Sequence, residues 1–174
     1  MRTPAIPLTV LTIAAMGCTD ELSTAPLAGG SVAALAVASD VPLPFRGTLS
    51  TTHTSVYDPG TNSEIVHLIG EGTATHVGKY RWVSHVVFAN LPALAGTETT
   101  TLVAANGDMI FATGTVAGTP SEDGQSISSV EALTITGGTG RFGGATGSFV
   151  LRQMNLAPDR TSSGSFDGTV SFRR

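Results

Sequence analysis

Six glycines fall within Ile135 to Gly147 (ITGGTGRFGGATG), and what flanks them decides what this chain can fold into. Glycines that follow a strand and open a helix let backbone amides approach a dinucleotide's pyrophosphate, which the helix N-terminus then holds. No helix is readable here. Downstream, Phe149, Leu151 and Gln153 share one side at period two, and Ser148, Val150 and Arg152 share the other. An amphipathic helix would need apolar residues at i, i+3 and i+4. The stretch after Met154 has room for one more strand, not for further βα units. The glycines therefore read as a tight corner between two antiparallel strands, and the nucleotide reading is set aside as a motif without its structural context.

The rest of the chain supports an all-β domain. Threonine, valine and turn residues abound, and no run rich in Ala, Leu, Glu and Lys appears outside the N-terminus. From Phe45 onward, candidate strands span 45–57, 65–75, 77–89, 99–105, 109–117, 127–136, 146–156 and 164–172. Breakers separate them: Asp58-Pro59-Gly60, Asn90-Leu91-Pro92, Asn106-Gly107-Asp108, Pro120 to Gly124, the glycine corner and Pro158-Asp159. Asn106-Gly107 is the strongest hairpin signal among them. In the third strand, Tyr80, Trp82, Val86 and Phe88 alternate with Lys79, Arg81 and His85. In the last, Phe166, Val170 and Phe172 alternate with Ser165, Asp167, Thr169 and Ser171. Eight hairpin-linked strands left open would expose two edges, and closure removes them. The expectation is an all-β, eight-stranded antiparallel closed β-barrel over 45–174, with an open two-sheet sandwich as the alternative. A barrel of this size holds packed side chains or one small ligand.

The N-terminus reads as an export signal. Met1-Arg2 supplies a positive start and Ala5 to Ala15 an apolar run, too short to span a bilayer. Ala15-Met16-Gly17-Cys18 follows, and Cys18 is the single cysteine of the chain, so it has no internal disulfide partner. Small residues before a cysteine at this point resemble a bacterial lipobox, with Ala15 where leucine is usual. That implies a signal peptide over 1–17, acylation of Cys18, a linker over 18–44, and an envelope lipoprotein held at a membrane by its lipid alone. The alternative is a secreted soluble protein cleaved after the small-x-small stretch Ala36-Val37-Ala38. A net charge of −4 leaves no basic footprint for nucleic acid.

Thr134–Gln153 (TITGGTGRFGGATGSFVLRQ) resembles the GGTG-x-F-x-G-x-x-G segment of the allene oxide cyclase and dirigent barrels. Gly72–Gly78 and Gly164–Gly168 resemble segments of bacterial proteins with such a barrel, and the resemblance extends over about residues 45 to 172. It implies a calycin-like barrel that binds an apolar small molecule, and a homo-oligomer, trimeric in the plant members. Allene oxide cyclases fold and cyclise an unsaturated epoxide, and dirigent proteins steer radical coupling. The family's catalytic residues find no matching motif in the first strands here.

Three functional classes stay open: a binder of a small apolar molecule, an isomerase or cyclase of the same fold, and a non-catalytic oligomeric module. Glu131 shares a strand side with Leu133 and Ile135. If it faces the interior, desolvation raises its pKa and suits it to acid–base work; at a wet strand end it is an ordinary surface carboxylate. Tyr80 and Trp82 are candidates to line a ligand pocket, with core packing as the alternative. Gly137, Gly138, Gly140, Phe142, Gly144 and Gly147 read as the structural corner, with Phe142 plugging the barrel's end. His53, His67, His76 and His85 stand in no metal-ligand pattern, so neither a metal nor a cofactor is expected. His67 and His85 are placed to meet across neighbouring strands.

Overall fold

Alternation along each strand sets which side chains turn inward. In the computed structural model, which describes residues 41–157 and 159–172, Tyr80, Trp82, Ser84 and Val86 are buried while Lys79, Arg81 and His85 are exposed. The strands are β1 (Leu43–Asp58), β2 (Ser63–Ala74), β3 (Gly78–Ala89), β4 (Ala95–Ala104), β5 (Met109–Pro120), β6 (Ser126–Gly138), β7 (Thr146–Leu156) and β8 (Thr161–Ser171). Each pairs antiparallel with the next, and β8 returns to β1, closing the barrel in chain order. No sheet edge remains, which excludes the open sandwich.

The signal peptide, Cys18 and the linker up to residue 40 lie outside the described residues. The linker's last residues belong to the barrel: Leu43 and Pro44 pair with Val170 and Thr169. Pro44 is tolerated at the beginning of a strand, where its missing N–H costs least. Among the described residues, no helix is long and apolar enough to cross a membrane.

The two ends of the barrel differ. One end carries the start of β1, the β2–β3, β4–β5 and β6–β7 connections, and the end of β8. It is filled with aromatic rings. Phe45 packs on Phe149 and Phe166 at centroid separations of 5.3 and 4.9 Å, and Tyr80 lies 6.3 Å from Trp82. Such pairs add about 0.5–1.5 kcal/mol each beyond their buried area. Gly47 makes room for them, since a Cβ there would fall 2.4 Å from the Phe166 ring.

The glycine corner closes this same end. Gly140–Phe142 forms a single 3-10 turn, and Phe142 is buried there with its ring 5.6 Å from that of Phe172. Gly140 has φ +54°, and a Cβ would fall 1.8 Å from Asp108 Oδ1. Asp108, in the Asn106-Gly107 hairpin, accepts the backbone N–H of Arg141 at 3.2 Å, and the Arg141 guanidinium donates to the carbonyl of Val77 at 3.0 Å. The corner therefore ties together three connections at one end. A bulge at Thr136, where the β5–β6 register skips one residue, precedes the turn.

Candidate functional site

At the opposite end the interior is not filled. A cavity of about 130 Å³ opens between the β1–β2, β3–β4, β5–β6 and β7–β8 connections. Its apolar wall is built from Val66, Leu68, Val86, Phe88, Leu94, Val116 and Ile127. His53, Glu64, Ser129, Glu131, Gln153 and Asn155 supply polar groups.

Glu131 reaches this wall because β6 turns Ser129, Glu131, Leu133 and Ile135 inward, and all four are buried. It is 1% exposed. Its Oε1 accepts hydrogen bonds from Ser129 Oγ, at 3.1 Å, and from Gln153 Nε2. Ser129 and Gln153 stand opposite each other in the β6–β7 register, which fixes both donors. Behind them Asn155 donates to Ser129 Oγ at 3.2 Å, and Ser162 donates to Asn155 at 2.6 Å.

A second carboxyl group sits beside the first. Glu98, on β4, is 2% exposed and accepts a hydrogen bond from Ser84 Oγ on β3. It also hydrogen-bonds to Glu131. Neither carboxyl pairs with a Lys, Arg or His side chain among the described residues. Burial foremost, then the charge of Glu131 and the bond to it, pushes the Glu98 carboxyl up to about 9. Burial also raises Glu131, against the opposing effect of the hydrogen bonds from Glu98, Gln153 and Ser129. At neutral pH the pair thus retains a proton shared between the two carboxyl groups. Chemically this is a shielded proton donor–acceptor pair beside an apolar cavity.

Other polar atoms at this end lack partners. Gln153 Oε1, His53 Nδ1 and Thr51 Oγ1 are buried with no hydrogen bond, as is the outer oxygen of each carboxylate when no shared proton is counted. Burial, and then the Arg160 cation against a smaller opposing effect of Glu64, lowers the His53 pKa, so the imidazole is neutral at neutral pH.

The expected site residues divide between the two ends. Glu131 lines the cavity, facing the interior. Tyr80 and Trp82 are buried in the filled end and do not line the cavity; the Tyr80 hydroxyl donates to the carbonyl of Thr48 at 3.0 Å. The corner lies at the closed end, away from the cavity. His67 and His85 do meet, on the barrel's exterior, with ring centroids 4.2 Å apart. Among the described residues no three His, Cys, Asp or Glu side chains group as metal ligands.

Sequence reasoning missed Glu98 and Ser84, and gave His53 and Gln153 no role at a cavity. Glu98 precedes the strand expected over 99–105, whereas β4 begins at Ala95. The signal available was the alternation of Gly96, Glu98, Thr100, Leu102 and Ala104, of which the last four are buried. Among known proteins, no family model matches the chain and no curated protein matches it.

Proposed function

We propose that this chain is an exported barrel, lipid-anchored through Cys18, that binds a small apolar molecule at its open end in the manner of the barrels it resembles. The observation that carries the reading is the cavity: apolar walls converge on a few fixed polar groups at one end of a barrel whose other end is packed solid. Its volume of about 130 Å³ is below the ~300–1,000 Å³ of drug-sized sites. A cavity of ~150 Å³ holds benzene, so the occupant is a single ring or short branched chain, or the end of a longer molecule. Native mass spectrometry of the protein purified from its own cell envelope tests the reading. Expected are a diacyl- or triacyl-modified Cys18 and a retained small molecule; a chain cleaved after Ala38, or one that carries and takes up no apolar fragment, overturns the corresponding part. The same spectrum gives the subunit count expected of a homo-oligomer.

A second reading, an isomerase or cyclase, is favoured by the Glu98–Glu131 pair. A protonated carboxyl beside an acceptor carboxylate, screened from bulk water, supplies a general acid and a general base within one site. Turnover of an unsaturated epoxide or a related isomerisable substrate, lost in Glu131→Gln, tests it. The purely structural module is least supported, because it calls for a filled interior.

A further inference from the structure

We propose that the open-end cavity is built for a small protonated amine, an arylalkyl- or alkylammonium, whose nitrogen donates to Glu131, Gln153 and His53. The inference rests on the binding role proposed above for the same cavity and names the ligand's chemistry.

The unmatched polar atoms on the cavity wall belong to Gln153, His53 and Glu131, and each can accept. Gln153 is 8% exposed, its Nε2 is committed to Glu131, and its Oε1 is buried on the cavity wall with no partner. His53 Nδ1 is buried on the same wall without a partner, and accepts when Nε2 carries the ring proton. The outer Glu131 oxygen is satisfied only by a proton held between it and Glu98. Orphaned acceptors such as those of Gln153 and His53 cost about 1–3 kcal/mol each when buried, and what relieves both while taking the place of the shared proton on Glu131 is a group with several donors. An ammonium has three and no acceptor. It also supplies the positive charge that no Lys, Arg or His among the described residues brings to the carboxyl pair. The apolar wall formed by Val66, Leu68, Val86 and Val116 then takes the hydrocarbon part of the ligand. An anionic ligand would meet the carboxylates directly, and a pure hydrocarbon would leave the acceptors unmatched.

Binding of the cation favours the ionised form of the pair and displaces the shared proton. The titratable and charged groups facing that proton or the cavity are Glu98, Glu131, His53 and Glu64, with Arg160 beside His53.

Calorimetry with three probes of one size, benzylamine, benzyl alcohol and benzoate, decides the matter at pH 7 in two buffers of different ionisation enthalpy. Benzylamine is expected to bind roughly tenfold or more tightly than benzyl alcohol, with proton release, and benzoate not to bind. Glu131→Gln is expected to abolish that preference while benzyl alcohol still binds. Should that variant not fold, the proton release in the native chain carries the test. Benzyl alcohol binding as tightly as benzylamine, or benzylamine binding with no proton released, overturns the amine while leaving the cavity a binding site. Failure of all three probes to bind overturns the binding role itself.

Discussion

Glu98 and Glu131 meet across an intervening strand. Glu98 stands opposite Gly114 of β5, and Glu131 stands opposite Val116 of the same strand. Gly114 shares the inward parity of the buried Ala112 and Val116 but brings no side chain, so nothing from β5 separates the carboxyls at that level. A position on β5 without a side chain thus lets two acids come together in a dry interior. Desolvation is the foremost cause of both shifts, which makes the stability of the fold pH-dependent through this pair.

The first prediction follows from the sign of that shift. A folded-state value near 9, against an ordinary 4.5, means that the folded chain keeps a proton which the unfolded chain has released. Its favourable contribution is complete below about pH 4.5 and is lost as the pH rises to about 9. For one proton the slope is at most about 1.4 kcal/mol per pH unit. Thermal melts of the native protein between pH 5 and 9 are expected to fall with rising pH. Those of Glu98→Gln are expected to be flatter, because the amide never ionises. Parallel curves would mean that Glu98 is not the group retaining the proton.

Gln153→Leu removes one of the donors to Glu131 and one orphaned acceptor. The lost charge-stabilising bond is worth about 1–3 kcal/mol when it serves an ionised group. The Glu131 titration, followed by carbon-detected NMR of the side-chain carboxyl, is expected to move further up. Stability above neutral pH is expected to fall by about that amount. An unmoved titration would show that Ser129 and Glu98 hold Glu131 without help from Gln153.

Gly140→Ala tests the structural reading of the glycine corner. The substituted residue must keep φ +54° and must displace the Asp108 carboxylate, which lies 1.8 Å from the Cβ position. The cost expected is about 1–3 kcal/mol. Because the corner sits at the closed end, fragment binding at the open end is expected to be unchanged. Denaturant unfolding and a benzyl alcohol titration on the same sample check both halves of the statement.

How far the sequence reveals this architecture differs from one residue to another. β7 is legible throughout, because Phe149 and Leu151 contrast sharply with Ser148 and Arg152, and its bounds fall where the alternation puts them. β4 is not. Thr97, Thr99, Thr100 and Thr101 give no polarity contrast, so the first four residues of the strand, Glu98 among them, merge into the preceding turn. Glu131 shares a strand side with Leu133 and Ile135, which permits an inward position but does not separate it from a wet strand end. The reason a carboxylate is tolerated there is visible only once Ser129, Gln153 and Glu98 are assembled from three strands. Tyr80 and Trp82 illustrate a different limit: period two tells inside from outside, but which end of the barrel a residue fills depends on the register of all eight pairings.

The last prediction tests whether the cavity, and not the carboxyl pair alone, is the binding element. Val116 is buried, lines the cavity and stands directly across from Glu131 in the β5–β6 register. Val116→Phe places a phenyl ring in the space that a fragment would occupy, without touching the hydrogen bonds of Glu131. Overpacking of this kind typically costs about 1–3 kcal/mol, less where a void receives the added atoms. Benzyl alcohol and benzylamine are both expected to lose affinity, while the Glu98–Glu131 pH dependence of stability is kept or strengthened by the drier surroundings. Retained fragment binding in Val116→Phe would place the ligand elsewhere on the barrel. A pH dependence lost together with binding would mean that the ring had disrupted the pair as well as the void.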